Sequence, residues 1–206
     1  MKKILFLILL SIVTSFNAQK KKAYYNEDMK EISKTEFFNQ RDYSKNIDLY
    51  IEDQEQFNNI LVRRKNHGKL SEIELKELQI SLSGKKLDKN LIIIYYPGKD
   101  SYNTIDKNTS WNVFNKSNLK KLNRKDDYEG FWIYKDYDGL QYYFPDRVNW
   151  QPDKDGVIEN LFFKNHYPFF SFVVIDKKGN YISYFSEFGK DTVWKLVKEL
   201  KRTDSR

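Results

Sequence analysis

Few residues in this chain are suited to chemistry, and their spacing removes most of the options. There are no cysteines and two histidines, His67 and His166. Thiol–disulfide exchange and peroxide reduction by a protein thiolate both need a sulfur nucleophile. Dithiol oxidoreductase, disulfide isomerase and peroxiredoxin chemistry are therefore excluded. Neither histidine has a cysteine partner or a second histidine at helical spacing, so no zinc pattern forms. A Ser-His-Asp hydrolase would need one of these two histidines beside an exposed serine, and no Gly-x-Ser-x-Gly occurs. Asp136-x-Asp138-Gly139 and Asp153-x-Asp155-Gly156 begin like calcium loops but lack the terminal glutamate. They read as turns. Tyr142, Tyr143 and Trp150 would offer a sugar-stacking surface, although packing is the commoner use of such rings. What remains is a pair of hydroxyls, Ser101 and Tyr102. They sit in the polar stretch that follows the most apolar strand of the chain. No metal and no cofactor is expected.

The elements that must position that stretch are legible from periodicity. Leu91 to Tyr96 (LIIIYY) is a continuous apolar run closed by Pro97-Gly98, the pattern of a fully buried central strand. Ser71 with Glu74 has the capping-box spacing, and Gly84 ends the helix it opens. Further strands are expected at 60–64, 131–135, 172–176 and 181–185, with helices at 72–82, 157–165 and 192–202. Asn66-His67-Gly68 reads as a turn after the first of these strands. Gln141 to Phe144 would pair back on the 131–135 strand as a hairpin. Lys177-Lys178-Gly179-Asn180 joins the last two strands tightly. Asp191 would cap the final helix, where Val193, Leu196, Val197 and Leu200 fall on one face. Upstream, residues 19 to about 42 read as a surface arm with a short helix near Lys34–Gln40. Ile47, Leu49 and Ile51 alternate as a strand.

The amino terminus has the three parts of a secretory signal. Lys2 and Lys3 are followed by the ten-residue apolar run Ile4 to Val13 and then by small residues. Cleavage is expected after Ala18, with Ser15 as the competing position. Loss of Lys2 and Lys3 takes the net charge from +7 to +5. The expected organisation is a signal peptide at 1–18, an arm and edge strand at 19–56, and one domain at 57–206. An exported chain without disulfides must be held by its core, and 15 Phe, 15 Tyr and 4 Trp supply the side chains for one. Basic clusters at Lys20–Lys22, Arg63–Lys65, Lys120–Lys125 and Lys195–Arg202 read as solvated faces. Nucleic acid is not expected as a partner, and no segment after the signal is apolar enough to stay in a membrane.

In order, these elements resemble the thioredoxin-like superfamily over about residues 57–202. Four segments carry the resemblance. Leu91–Tyr96 resembles the central strand that delivers the active-site loop, and Tyr167-Pro168 the segment with the family's cis-proline. Phe172 to Asn180 resembles its hairpin and Asp191–Leu200 its closing helix. The resemblance implies an α/β fold, a thioredoxin-like three-layer sandwich with a central mixed sheet, here with an N-terminal extension. Where a thioredoxin presents Cys-x-x-Cys, this chain reads Pro97-Gly98-Lys99-Asp100-Ser101-Tyr102-Asn103-Thr104. The implied function is a binding or interaction module rather than an enzyme. A protein or peptide partner would meet Lys99, Asp100, Ser101, Tyr102 and Asn103 on one side and Tyr167 and Pro168 on the other. Two alternatives stay open. One is a thiol-independent enzyme with a glutathione-transferase-like hydroxyl at Tyr102 or Ser101. The other is a basic adaptor for anionic envelope surfaces.

Overall fold

The computed structural model describes residues 20–99, 127–140, 149–167 and 170–203. The chain forms two compact units, Met1–Val62 and Arg63–Arg206. The protein is of mixed α/β class. No helix among the described residues is long and apolar enough to cross a membrane.

The first unit is built on a three-stranded sheet with the order β1-β3-β2. Its elements are β1 (Lys21–Tyr25), α1 (Lys34–Gln40), β2 (Asn46–Glu52) and β3 (Gln56–Arg63). β1 runs parallel to β3, pairing Lys21 with Gln56 through Tyr25 with Ile60. The segment read as an arm therefore supplies a strand as well as the expected helix. Its lysines hid the strand, because only Ala23 of β1 is buried. The strand expected at 60–64 exists, but it pairs in this sheet and not in the larger one. Ser33 and Glu36 close a capping box at the start of α1, worth about 1 kcal/mol. Phe37 is buried edge-on against Tyr24, with ring centroids 5.2 Å apart. Ile47 and Leu49 are buried as the alternation requires, whereas Ile51 is exposed.

The α1–β2 connection turns on Asp42. Its carboxylate accepts from the Ser44 hydroxyl at 2.6 Å and the Ser44 N–H at 3.0 Å, and pairs with Lys45 at 3.0 Å. The Ser44 hydroxyl, then Lys45, then the Ser44 backbone pull its pKa down to about 2. A depressed carboxyl favours the folded turn above the ordinary carboxylate range, and that contribution is lost as the pH falls towards 2. A carbon-detected NMR titration should find the Asp42 midpoint near 2. A midpoint near the ordinary value would show the turn unformed.

The second unit is a six-stranded mixed sheet with the order β4-β9-β8-β5-β6-β7. Its strands are β4 (Lys65–Lys69), β5 (Asn90–Tyr96), β6 (Tyr128–Tyr134), β7 (Trp150–Pro152), β8 (Ser171–Ile175) and β9 (Asn180–Tyr184). β5 is parallel to β6 and antiparallel to β8, β6 is parallel to β7, and β9 is antiparallel to both β8 and β4. Leu91 to Tyr96 are each at most 2% exposed, so the apolar run is interior to the sheet as read. Gln141–Phe144 lies outside the described residues.

Helices α2 (Glu72–Ser83), α3 (Val157–Phe162) and α4 (Lys190–Thr203) complete the unit. Ile92, Ile94, Tyr96, Phe172, Val174 and Ile182 face Val193, Trp194, Leu196, Val197 and Leu200 of α4 in one core. The opposite face of the sheet meets the end of α3. There Phe163 stacks on Tyr95 at 5.1 Å, and Phe162 meets Tyr181 edge-on at 5.0 Å. Both halves of the Ser71–Glu74 capping box form, and Gly84 caps α2 in the left-handed region at φ 72°. Asp176 builds the last hairpin by accepting from the N–H groups of Lys178 and Asn180 at 2.9 and 2.8 Å. α4 begins at Lys190, and the N–H of Thr192 donates to Gly189 O at 3.0 Å. Asp191 thus lies in the first turn, where it complements the helix dipole instead of capping.

Asn66-His67-Gly68, expected as a turn, is the middle of β4. Each of these residues pairs across to β9, Gly68 with Tyr181. The Tyr181 ring lies over Gly68 so closely that a Cβ there would sit 2.4 Å from it. The glycine permits close approach of a ring to a strand and does not mark a bend. His67 is also used structurally. Its Nε2 and the Lys65 Nζ each lie 2.9 Å from Oε1 of Glu199 on α4.

Candidate functional site

Register places several separate segments at one end of the large sheet, the carboxyl end of β5. Tyr95 pairs with Ser171 at the start of β8, Tyr96 with Tyr134 at the end of β6, and Tyr184 ends β9 opposite Lys65 at the start of β4. The chain leaves β5 through Pro97 and Gly98, both buried, and reaches Lys99, which is exposed. Gly98 has φ 109°, and a Cβ there would approach the Asp136 Cβ to 2.8 Å. Only glycine fits both the conformation and the space.

The turn after β6 is locked against the same strand. The Lys135 N–H donates to Tyr96 O at 2.8 Å, and the Tyr96 hydroxyl donates to Asp138 O at 2.9 Å. Asp136 accepts from the Asp138 N–H at 3.0 Å, and Gly139 has φ 81°, so this Asp-x-Asp-Gly is a turn. In the second such motif, Asp153 accepts from the N–H groups of Ile158 and Glu159, each at 2.9 Å, and so opens α3. Burial raises the Asp153 pKa against the opposing pull of those two donors. Among the described residues no cluster of His, Asp and Glu is arranged to hold a metal ion.

Neighbouring tyrosines on β5 have opposite environments. The Tyr96 hydroxyl is bonded, whereas the Tyr95 hydroxyl is buried without a hydrogen-bond partner among the described residues. Burial first, then the charges of Glu159 and Asp153, push the Tyr95 pKa upward. Removing an unpartnered buried hydroxyl relieves a desolvation cost, and removing a bonded one strands its acceptor. Tyr95→Phe should therefore raise stability by about 1 kcal/mol, and Tyr96→Phe should lower it by about 1 kcal/mol. Urea denaturation of the two variants measures this. A loss for Tyr95→Phe as large as for Tyr96→Phe would mean that the Tyr95 hydroxyl is bonded.

Of the residues assigned from sequence, Lys99 and Tyr167 both fall at this end. Asp100, Ser101, Tyr102, Asn103 and Pro168 lie outside the described residues. Lys99 makes no hydrogen bond or ion pair with another described residue. Tyr167 is half-buried, with its ring 5.2 Å from that of Phe185. Burial, then the charge of Glu187, hold its hydroxyl above the usual phenol range. Trp150 packs against Phe170 at 5.7 Å and is partly buried, while Tyr142 and Tyr143 are outside the described residues.

Two residues at this end were not assigned from sequence. Arg64 directly precedes β4, and its Nη1 donates to the hydroxyl of Ser186, which follows β9. The Phe185 N–H donates to Arg64 O at 2.7 Å, extending the β4–β9 pairing by one step. Ser186 is fully buried and has φ 103°, a rare conformation for a residue with a side chain. The only sequence signal was the basic triplet Arg63–Lys65, which reads equally well as a solvated face.

No family model matches the chain, and neither a curated protein nor a solved structure matches it.

Proposed function

We propose that the larger unit is a thioredoxin-like scaffold without thiols, which serves as an exported interaction module and takes a peptide or protein segment at the carboxyl end of β5. The scaffold reading is supported by the order of its inner strands. β5 lies between parallel β6 and antiparallel β8, β9 follows β8 through a tight hairpin, and α4 closes one face. Two departures go with it. The sheet gains β4 beside β9, and the strand next to β6 is β7, which follows β6 in the chain instead of preceding β5. The export reading rests on the three-part amino terminus.

One observation carries the site. A fully buried central strand is followed by Gly98 at positive φ, the next residue, Lys99, is exposed and has no partner among the described residues, and Tyr167 lies against Phe185 at the same end. With no thiol in the chain, this geometry of delivery has binding, not exchange, as its available use. A photo-crosslinking residue placed at Lys99 should yield discrete adducts in cells. The same residue at Lys76, exposed on α2, should not. Equal adducts at both positions would remove the site. Insulin reduction by the purified protein should be flat.

A further inference from the structure

The guanidinium of Arg64 is a charge without a counter-charge. Among the described residues its side chain forms no ion pair, its hydrogen bond goes to the neutral hydroxyl of Ser186, and its Nε is buried without a partner. Desolvating part of a cation without an anion is unfavourable, and proteins normally answer it with a carboxylate. Glu187 is close enough for its charge to reach Tyr167, yet it is exposed and makes no ion pair with Arg64.

The surroundings hold the group in place. The Phe185 N–H donates to the Arg64 carbonyl, and the Ser186 N–H donates to the Ser171 hydroxyl at 3.3 Å. These bonds anchor Ser186 at its positive φ, where non-glycine residues persist only when neighbours impose the geometry. Tyr167 lies against Phe185 and within the field of Arg64. Arg64 and Tyr167 thus both lie against the residues that follow β9, Arg64 at Ser186 and Tyr167 at Phe185.

We infer that Arg64 is an oxyanion-recognising residue, and that the segment taken at the carboxyl end of β5 is acidic, with one carboxylate received by Arg64. A planar guanidinium can meet a carboxylate in two parallel hydrogen bonds through the N–H groups on Nη1 and Nη2 that Ser186 does not use. The exposed Lys99 at the same end adds a second positive group, and the chain without its first 18 residues carries a net charge of +5. This inference rests on the interaction-module reading and adds the chemical class of the ligand.

The test uses the full chain labelled with nitrogen-15 and two short peptides. One is built of Gly, Ser, Asp and Glu, and the other has Asn and Gln in place of the acids. The Arg64 Nε–H signal, identified by its loss in Arg64→Gln, should shift saturably with the acidic peptide and stay fixed with the neutral one. Arg64→Lys keeps the charge but not the fork. Both variants should retain the far-UV circular dichroism of the parent and bind the acidic peptide at least about tenfold more weakly. If the amides of Lys99 and Tyr167 respond to both peptides while Arg64 Nε–H does not move, the inference fails and the docking end stands. If no signal at this end responds to either peptide, both fail.

Discussion

Phe172→Ala should cost the larger unit about 3–5 kcal/mol, the range for deleting a large ring from a packed interior. Phe172 is fully buried in β8. Its ring stacks on Tyr184 at 5.5 Å and meets Phe188 at 4.5 Å, and the same core holds Val193, Trp194 and Val197 of α4. Alanine there removes contacts to the hairpin partner and to the covering helix together. A domain of this kind is typically stable by only about 5–15 kcal/mol, so the loss takes a large part of the total. Urea denaturation should show the transition of the larger unit at a much lower midpoint. With no disulfide to hold the unfolded chain together, nothing covalent softens the effect. An unmoved midpoint would mean that this core is not the one that holds the sheet.

The second large effect is expected at Gly98. A valine there would need a positive φ of 109° and would drive its Cβ into the Asp136 side chain, 2.8 Å away. Backbone strain of this kind costs about 1–3 kcal/mol, and the steric overlap adds to it. Gly98→Val should lower stability by about 3 kcal/mol or more and abolish crosslinking from position 99. Gly84→Ala is the matched control. Gly84 has φ 72°, but a Cβ would meet nothing within 4 Å, so the cost should stay near 1 kcal/mol. Equal losses at the two glycines would show that the Asp136 approach is unimportant.

The contrast between those glycines also shows where sequence reasoning stops. Ser71 with Glu74, Gly84 and the run Leu91–Tyr96 act through neighbours a few residues away, and each formed as expected. So did the hairpin around Asp176 and the apolar stripe of α4. Gly68 read as a turn because its partner, the Tyr181 ring, is remote in the chain. β1 was hidden because two of its five residues are exposed lysines and only Ala23 is buried. At the carboxyl end of β5, the exit through Pro97-Gly98 was legible from local chemistry. Arg64 and Ser186 were not, since the two lie 122 positions apart and meet only because β4 pairs with β9.

The two edges of the large sheet bear on how a partner can approach. On one edge, β4 presents Lys65, His67 and Lys69 to solvent. On the other, β7 is three residues long and ends in Pro152, which has no N–H to offer. A strand arriving sideways would meet the lysines Lys65 and Lys69 on one flank and a short ladder closed by a proline on the other. The lateral route that many sheets leave open to an incoming chain is thus discouraged, which is in keeping with the proposed docking at the strand tips. A partner so received would be read by its side chains and charges rather than by its backbone.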